Sequence, residues 1–319
     1  MFDIVTVGSA TKDVFLFTKQ ASLKFGINSH FLELPLDRKL NVDTKMEFTG
    51  GSATNTAATF SNFGKNVAVI SKIGNDSNGD FILSDLKARK INTDFLIRAE
   101  GETPFSTIIV SKMNKAIILV YRGVENTLTF DELRDDFSAK WMLIGPLAGD
   151  SFSLLKSLLS FCEERDIKVA LNLGASELSL GIKKLGSIMK NVEVISMNSL
   201  EAREFVGLSN DIRNILELKK KAKIAIITKG AEGSIVADSD RIYYAQALKA
   251  NQINYIGAGD AYLSGFVTAL MDGKDIKEAI NLAAHNSAAV VQKYGAKSGL
   301  LSKYPDTMIK IKEVEYKKQ

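Results

Sequence analysis

The sequence is poor in the residues that make disulfides, metal clusters and histidine-based catalysis, with one cysteine, two histidines and four prolines in 319 residues. A single thiol excludes an intramolecular disulfide and a cysteine-built zinc cluster, which fits a reducing compartment. Cys162 stands among Leu154, Leu155, Leu158, Leu159 and Phe161 in an apolar helical pattern, the place of a small buried hydrophobe. His30 and His285 have no ligand-spaced neighbour, so neither a Ser-His-Asp set nor an HExxH helix can be assembled. No stretch approaches the roughly 18 uncharged apolar residues of a membrane-spanning helix. The first residues, Met1 to Gly8, read as a strand entering a glycine turn and not as a basic-then-apolar leader, so the expected location is the cytoplasm. Charge of one sign is scarce too: 41 basic against 37 acidic side chains leave a net +4, too small and scattered an excess to argue for nucleic acid. The late run Lys310, Lys312, Lys317 and Lys318, interleaved with Glu313 and Glu315, reads as a solvated terminal element.

What is present is an alternation of apolar strands and helix-period segments. Ile4 to Val7, Val67 to Ser71, Trp141 to Gly145, Val169 to Leu173, Val192 to Ser196 and Ile224 to Thr228 are mostly short continuous apolar runs, as parallel strands covered on both faces should be. Between them, Thr56 to Phe63, Gly79 to Lys90, Phe152 to Arg165 and Leu200 to Val206 carry helical spacing. That order predicts a doubly wound α/β fold with a mainly parallel central sheet flanked by helices. Two stretches interrupt it, about 14–48 and 98–122. The second contains two strand-like runs, Ser106 to Ser111 and Ala116 to Tyr121, around the turn Lys112-Met113-Asn114-Lys115, which predicts a β-hairpin. A small β-structure beside an α/β body makes a lid that excludes water; an edge extension of the main sheet is the other reading. With no repeat, linker or low-complexity tract, one continuous domain with a lid is expected.

Five motifs could carry chemistry. Gly257-Ala258-Gly259-Asp260 leads into a small-residue helix. Backbone N–H groups at such a helix start can hold an anion, and an Asp in the first turn can take a proton from an attacking hydroxyl, the two parts that phosphoryl transfer needs. A plain capping carboxylate is the alternative. Tyr262 stands where a dinucleotide fingerprint would need its third glycine, and no GxxxxGK[ST] exists. Gly50-Gly51-Ser52-Ala53-Thr54-Asn55 lets a ligand approach the backbone and offers it the Asn55 amide, unless it is only a turn with Asn55 as a cap. Asp13 follows the first strand, where open α/β sheets bind ligands and where a carboxylate suits vicinal hydroxyls, unless it is an ordinary turn residue. Asn198 and Glu201 lie three apart at a helix start, placed to orient water on Mg²⁺ or to form a capping box. Thr228, Gly230 and Gly233 end a strand with two glycines that would let a nucleotide lie against the backbone, a weak signal by itself.

The order of these motifs resembles the PfkB/ribokinase family of carbohydrate and nucleoside kinases from Asp3 to about Leu301. Gly50 to Ala57, with Gly64 and Gly74, is similar to that family's N-terminal signature, and Asn254 to Asp260 to its C-terminal one. Gly74-Asn75-Asp76-Ser77-Asn78-Gly79 resembles its GxDxxG turn, and Gly123-Val124-Glu125-Asn126 falls where members return from the lid. The resemblance implies one ribokinase-like kinase domain over 1–319, with a β-lid that in many members serves as a homodimer clasp. It implies ATP and Mg²⁺ as cofactors and a small sugar or nucleoside as substrate. Asp260 would be the base and Gly257, Ala258 and Gly259 the anion hole. Asp13, Gly51 and Asn55 would hold the acceptor. Asn198 and Glu201 would lie by Mg²⁺ and the phosphates, with Glu201 reaching the metal through water. Thr228, Gly230, Gly233 and Asn286 would line the nucleotide site, and Arg122 would contact phosphate or substrate.

Two departures bear on specificity. Asn254-Tyr255 stands where relatives carry an Asp that helps to bind an activating monovalent cation, which weakens the expectation of K⁺ activation. Ser52 replaces the lysine of true ribokinases, which argues against assuming ribose. The leading expectation is an active sugar kinase. Phe15, Phe17, Phe25 and Phe31 in the lid segment keep a nucleoside kinase in view. A binding regulator without catalysis is opposed by the intact Asp260, and a nicotinamide dehydrogenase by Tyr262.

Overall fold

The computed structural model describes residues 1–26, 30–189 and 191–316. Its centre is a ten-stranded sheet. In spatial order the strands are Ile311–Glu315, Arg241–Ala245, Ser234–Ala237, Ala222–Thr228, Val192–Asn198, Lys168–Asn172, Ala139–Ile144, Phe2–Val7, Val67–Gly74 and Leu96–Ala99. From Ala222–Thr228 to Leu96–Ala99 every neighbouring pair is parallel, and the remaining three strands continue the sheet antiparallel. The mainly parallel sheet flanked by helices is thus as expected.

The side-chain period of two divides each strand between two cores. Val5 and Val7 face a cluster with Ile70, Met142, Ile144 and the helix Ser151–Glu164, whose Leu154, Leu155, Leu158 and Cys162 fill it. Ile4 faces the other cluster with Val67, Val69 and Leu143, covered by the helices Ser52–Asn62, Ser77–Ala88, Ala258–Met271 and Ile276–Val290. Cys162 is 1% exposed and its thiol is pushed up to about 12 by burial, so it behaves as a hydrophobe. The helix expected from Thr56 begins earlier, at Ser52, because Gly51 caps it and nine of its residues from Ser52 to Phe60 are buried. Small residues at Ala53, Ala57 and Ala58 let it lie close against the sheet.

Apart from Arg98 and Ala99, which end the edge strand Leu96–Ala99 of the main sheet, the two interrupting stretches lie outside that sheet. They form a separate four-stranded sheet in the order Thr44–Gly50, Thr11–Phe17, Phe105–Val110, Ala116–Tyr121. Phe105–Val110 and Ala116–Tyr121 are the expected hairpin. Phe15, Ile108 and Val110 form its own small core against Phe48, Ile256 and Tyr294. Ser22–Phe25 and His30–Glu33 add a separate two-stranded ribbon. The C-terminal charged run is solvated, but Ile311–Glu315 within it is also an edge strand paired with Arg241–Ala245. Lys317 and Lys318 lie outside the described residues.

Candidate active site

The helix Ala258–Met271 starts from Gly257, which has φ +80° and sits so close to Ala296 that a Cβ there would collide with it. A left-handed N-cap packed this tightly needs glycine. The first-turn amides of the helix have no intrahelical acceptors and carry the positive end of its dipole. Asp260 lies in that turn, partly buried. Asn55 Nδ2 donates to Asp260 Oδ2 at 2.8 Å across a sequence gap of 205 residues. One helical turn on, Ser264 Oγ bonds both Asp260 O at 2.6 Å and Thr59 Oγ1 at 2.9 Å. The helix that carries Asp260 is therefore fastened to the helix Ser52–Asn62 that carries Asn55.

Loss of hydration pushes the Asp260 carboxyl up to about 6. The Asn55 hydrogen bond and the Lys297 charge hold it down, while the Glu201 and Asp13 charges push it further up. A carboxylate in this range is ionised at neutral pH yet basic enough to accept a proton.

Gly51, with φ +91°, turns the chain into the helix while lying against the Ser9 carbonyl, where a Cβ would collide. Asp13 lies on the strand Thr11–Phe17 of the smaller sheet, opposite Phe48 on one side and Ser106 on the other. Its carboxylate rests on Gly50, which has no room for a Cβ, and accepts from Thr11 Oγ1 at 2.9 Å. Burial raises the Asp13 carboxyl; Thr11, Lys297 and Ser106 oppose the rise. Asn55 Oδ1 is buried and has no partner among the described residues. Such an acceptor can take a hydrogen bond from a ligand hydroxyl or from water.

Lys297 escaped the sequence reading. It is 7% exposed, and its Nζ donates to Thr49 O at 2.7 Å and Thr49 Oγ1 at 2.9 Å, directly before Gly50-Gly51. Burial drives the ammonium down to about 7, against the pull of Asp85, Asp13 and Asp260. When charged, it offsets the Asp13 and Asp260 carboxylates. The one sequence signal was a lysine alone among the small residues Gly295, Ala296, Ser298 and Gly299.

On the other side of the Ala258–Met271 N-terminus lies a cavity of about 210 Å³. Thr228, Gly230 and Gly233 line it together with Ala258, Gly259 and Tyr262. Tyr262, read from sequence only as a missing glycine, shares a 2.7 Å hydrogen bond with Ser234. Asn198 caps the helix Ser199–Val206 by accepting from Leu200 N and Glu201 N, and Glu201 Oε2 accepts from Asn198 N at 2.7 Å. The capping-box reading of this pair is therefore realised. Burial raises the Glu201 carboxyl, and its charge reaches Asp260.

Asn286 is a correction. It is fully buried, and its amide bonds Ala261 O at 2.8 Å, Thr59 Oγ1 at 3.3 Å and, as acceptor, Leu301 N at 2.9 Å. It braces the helices from behind and presents nothing to the cavity, which the same helix lines with Ala284, Ser287 and Ala288. Arg122 lies 3.7 Å from Glu125 Oε1 and is 40% exposed.

The chain is 31% identical over 245 residues to an uncharacterized sugar kinase of Archaeoglobus fulgidus, covering 75% of this chain and 97% of that protein. It is 25% identical over 310 residues to a ribokinase of Staphylococcus aureus, covering 93% and 96%. The adenosine kinase structure from Sinorhizobium meliloti superposes with TM-score 0.78 at 20% identity, over 94% of this chain and 97% of that one, which shows the shared fold. Residues 1–303 match the pfkB family carbohydrate kinase. With its ribokinase-like fold and near-complete family match, the chain belongs to the pfkB family of carbohydrate kinases, phosphotransferases with an alcohol group as acceptor.

Proposed function

We propose that the protein transfers the γ-phosphoryl group of ATP to a hydroxyl of a small sugar or sugar derivative, with Asp260 as the base. The observation that carries this reading is the position of Asp260, with a carboxyl pushed up to about 6, between the Asn55 amide and a helix start that borders the 210 Å³ cavity. The acceptor lies on the Asp13 and Asn55 side and ATP in the cavity lined by Thr228, Gly230 and Gly233. As the acceptor oxygen forms its bond to the γ-phosphorus, its proton passes to Asp260. The bond from that phosphorus to the β–γ bridging oxygen breaks, and its electron pair leaves on ADP. Charge on the travelling phosphoryl oxygens is met by the amides of the Gly257–Asp260 turn.

Glu201 is the fitting carboxylate for Mg²⁺: one oxygen is held by the Asn198 amide and its charge reaches Asp260. Among the described residues no group of three metal-ligating side chains assembles, which suits an ion held mainly by phosphate oxygens and water. Bound there, Mg²⁺ would neutralise charge on the phosphates. A coupled ADP-release screen over pentoses, hexoses, sugar acids, sugar phosphates and nucleosides tests the reading, and turnover confined to nucleosides would move the protein to the nucleoside-kinase alternative.

The four-stranded sheet serves in this reading as a lid, and Asp13 lies on it, so acceptor binding and lid position are coupled. Its outer strand exposes Ile117, Leu119 and Tyr121 at 42%, 53% and 43%. Apolar side chains on an unpaired edge strand suit a second copy, so light scattering should return a dimer at micromolar concentration. A monomer throughout would refute the clasp.

The Asn254 site leads to a further expectation. Asn254 Nδ2 points at Ile256 O and Lys293 O, both at 3.5 Å, and its Oδ1 accepts from Ile256 N at 3.0 Å. A neutral amide directing a donor at two carbonyls neither attracts nor leaves room for a cation that must shed its water. Rates at matched ionic strength in KCl and in tetramethylammonium chloride should therefore agree. Saturable stimulation of several-fold by K⁺ would show a cation site that Asn254 does not prevent.

A further inference from the structure

The mechanism above leaves idle two buried side chains, Glu125 and Ser52, that lie near Asn55. Ser9, next to the end of the first strand, donates from Oγ to Glu125 Oε1 at 2.5 Å. The Arg122 guanidinium reaches the same oxygen from the solvent side at 3.7 Å. The other oxygen, Glu125 Oε2, is buried without a partner among the described residues. So is Ser52 Oγ, which lies against Gly8 and Gly145 so closely that a Cβ on either would collide with it. Asn55 Oδ1 is the third such atom. Glu125, Ser52 and Asn55 are 2%, 8% and 5% exposed.

These three atoms are contiguous with the acceptor side of the site. Ser52 and Asn55 are three apart on one helix and share a face. Ser52 abuts Gly8, and Glu125 holds the adjacent Ser9, so both flank the same strand end. Asn55, whose amide holds Asp260, is thus linked through Ser52, Gly8 and Ser9 to Glu125. A buried polar atom left unpaired is costly, and several of them beside the proposed acceptor side are explained by a ligand that completes them. Asn55 Oδ1 and an ionised Glu125 can only accept, so the ligand must bring hydrogen-bond donors there, as the hydroxyls of a sugar do. A second carboxyl, Glu177, lies near enough for its charge to raise that of Glu125, on top of burial. The wall already resists the negative charge it has.

We propose that Glu125, with Ser52, is a specificity residue that receives an uncharged, hydroxyl-bearing part of the acceptor and rejects acceptors that place a carboxylate or phosphate there. This rests on the kinase reading above and narrows it to neutral sugars or nucleosides.

The test compares wild-type protein, E125Q and S52A on matched acceptors: free hexoses and pentoses, the corresponding sugar 6-phosphates, and aldonic acids. Each is measured by ADP release and by calorimetric binding. Wild type should show a kcat/KM at least tenfold higher for a neutral acceptor than for its anionic counterparts. E125Q, which keeps the side-chain shape, should narrow that ratio at least tenfold while leaving the KM for ATP unchanged. S52A should weaken the neutral acceptor without admitting the anion, and carries the comparison if E125Q does not fold. Turnover with an anionic preference, or a ratio that E125Q leaves unmoved, overturns the proposal and spares the kinase reading. Neutral-sugar binding that E125Q weakens tenfold, without any ADP release, upholds Glu125 and sinks the kinase reading. Failure of any neutral acceptor to bind overturns the proposal.

Discussion

Replacing Asp260 by asparagine is expected to lower kcat by about 10²–10⁴-fold, the usual worth of a positioned general base. The fold should survive, because asparagine keeps the shape of the side chain and an oxygen for the Asn55 Nδ2 donor. The acceptor KM should change little, since the proposed arrangement holds the acceptor chiefly from the Asp13 side. The pH profile supplies an independent check. A base must be deprotonated to act, and burial places the Asp260 carboxyl at about 6. The wild-type kcat/KM should be level above that pH and fall about tenfold per unit below it, as one protonation requires. Near wild-type turnover by D260N at saturating substrate would remove Asp260 from the role of base.

Asp13→Ala is expected to raise the acceptor KM by about 10- to 150-fold, the worth of a hydrogen bond to a charged group at about 1.5–3 kcal/mol, with little change in the KM for ATP. Asp13 is buried on the smaller sheet, while the cavity proposed for ATP lies beyond the Ala258–Met271 helix start. Asn55→Ala should behave differently from what its sequence position beside the glycine pair suggests. Its amide helps to keep the Asp260 carboxylate ionised, so its loss removes a downward influence and moves the acidic limb of the profile to higher pH. Both acceptor KM and kcat at pH 6 to 7 then suffer in N55A, whereas D13A acts chiefly on KM. Equal losses for ATP and acceptor in D13A would defeat this division.

The glycine pairs, the Asp260 turn and the parallel strands were legible because each is a local matter. Gly51 and Gly257 stand where backbone with φ above zero turns into a helix, and a sequence records such a need in the residue itself. The parallel strands were legible because burial on both faces leaves continuous apolar runs such as Val67 to Ile70. The capping box at Asn198 and Glu201 was equally readable, since all its bonds span three residues or fewer. By itself, then, the sequence determined the doubly wound sheet, the hairpin and the turns that carry candidate side chains.

Only the tertiary structure decided what those side chains touch. Asn55 meets Asp260 across 205 residues, and Lys297 reaches Thr49 across 248. The family resemblance implies a nucleotide contact for Asn286, but a resemblance places a residue on a helix without naming its neighbours, and the neighbours are Thr59, Ala261 and Leu301. Glu125 read as the return from a lid until Ser9, 116 residues away, was found bonded to it. Hydrogen bonds act over about 3 Å, and which distant segments come within that range is set by how the two core layers close on the sheet, information that no local pattern of residue types contains.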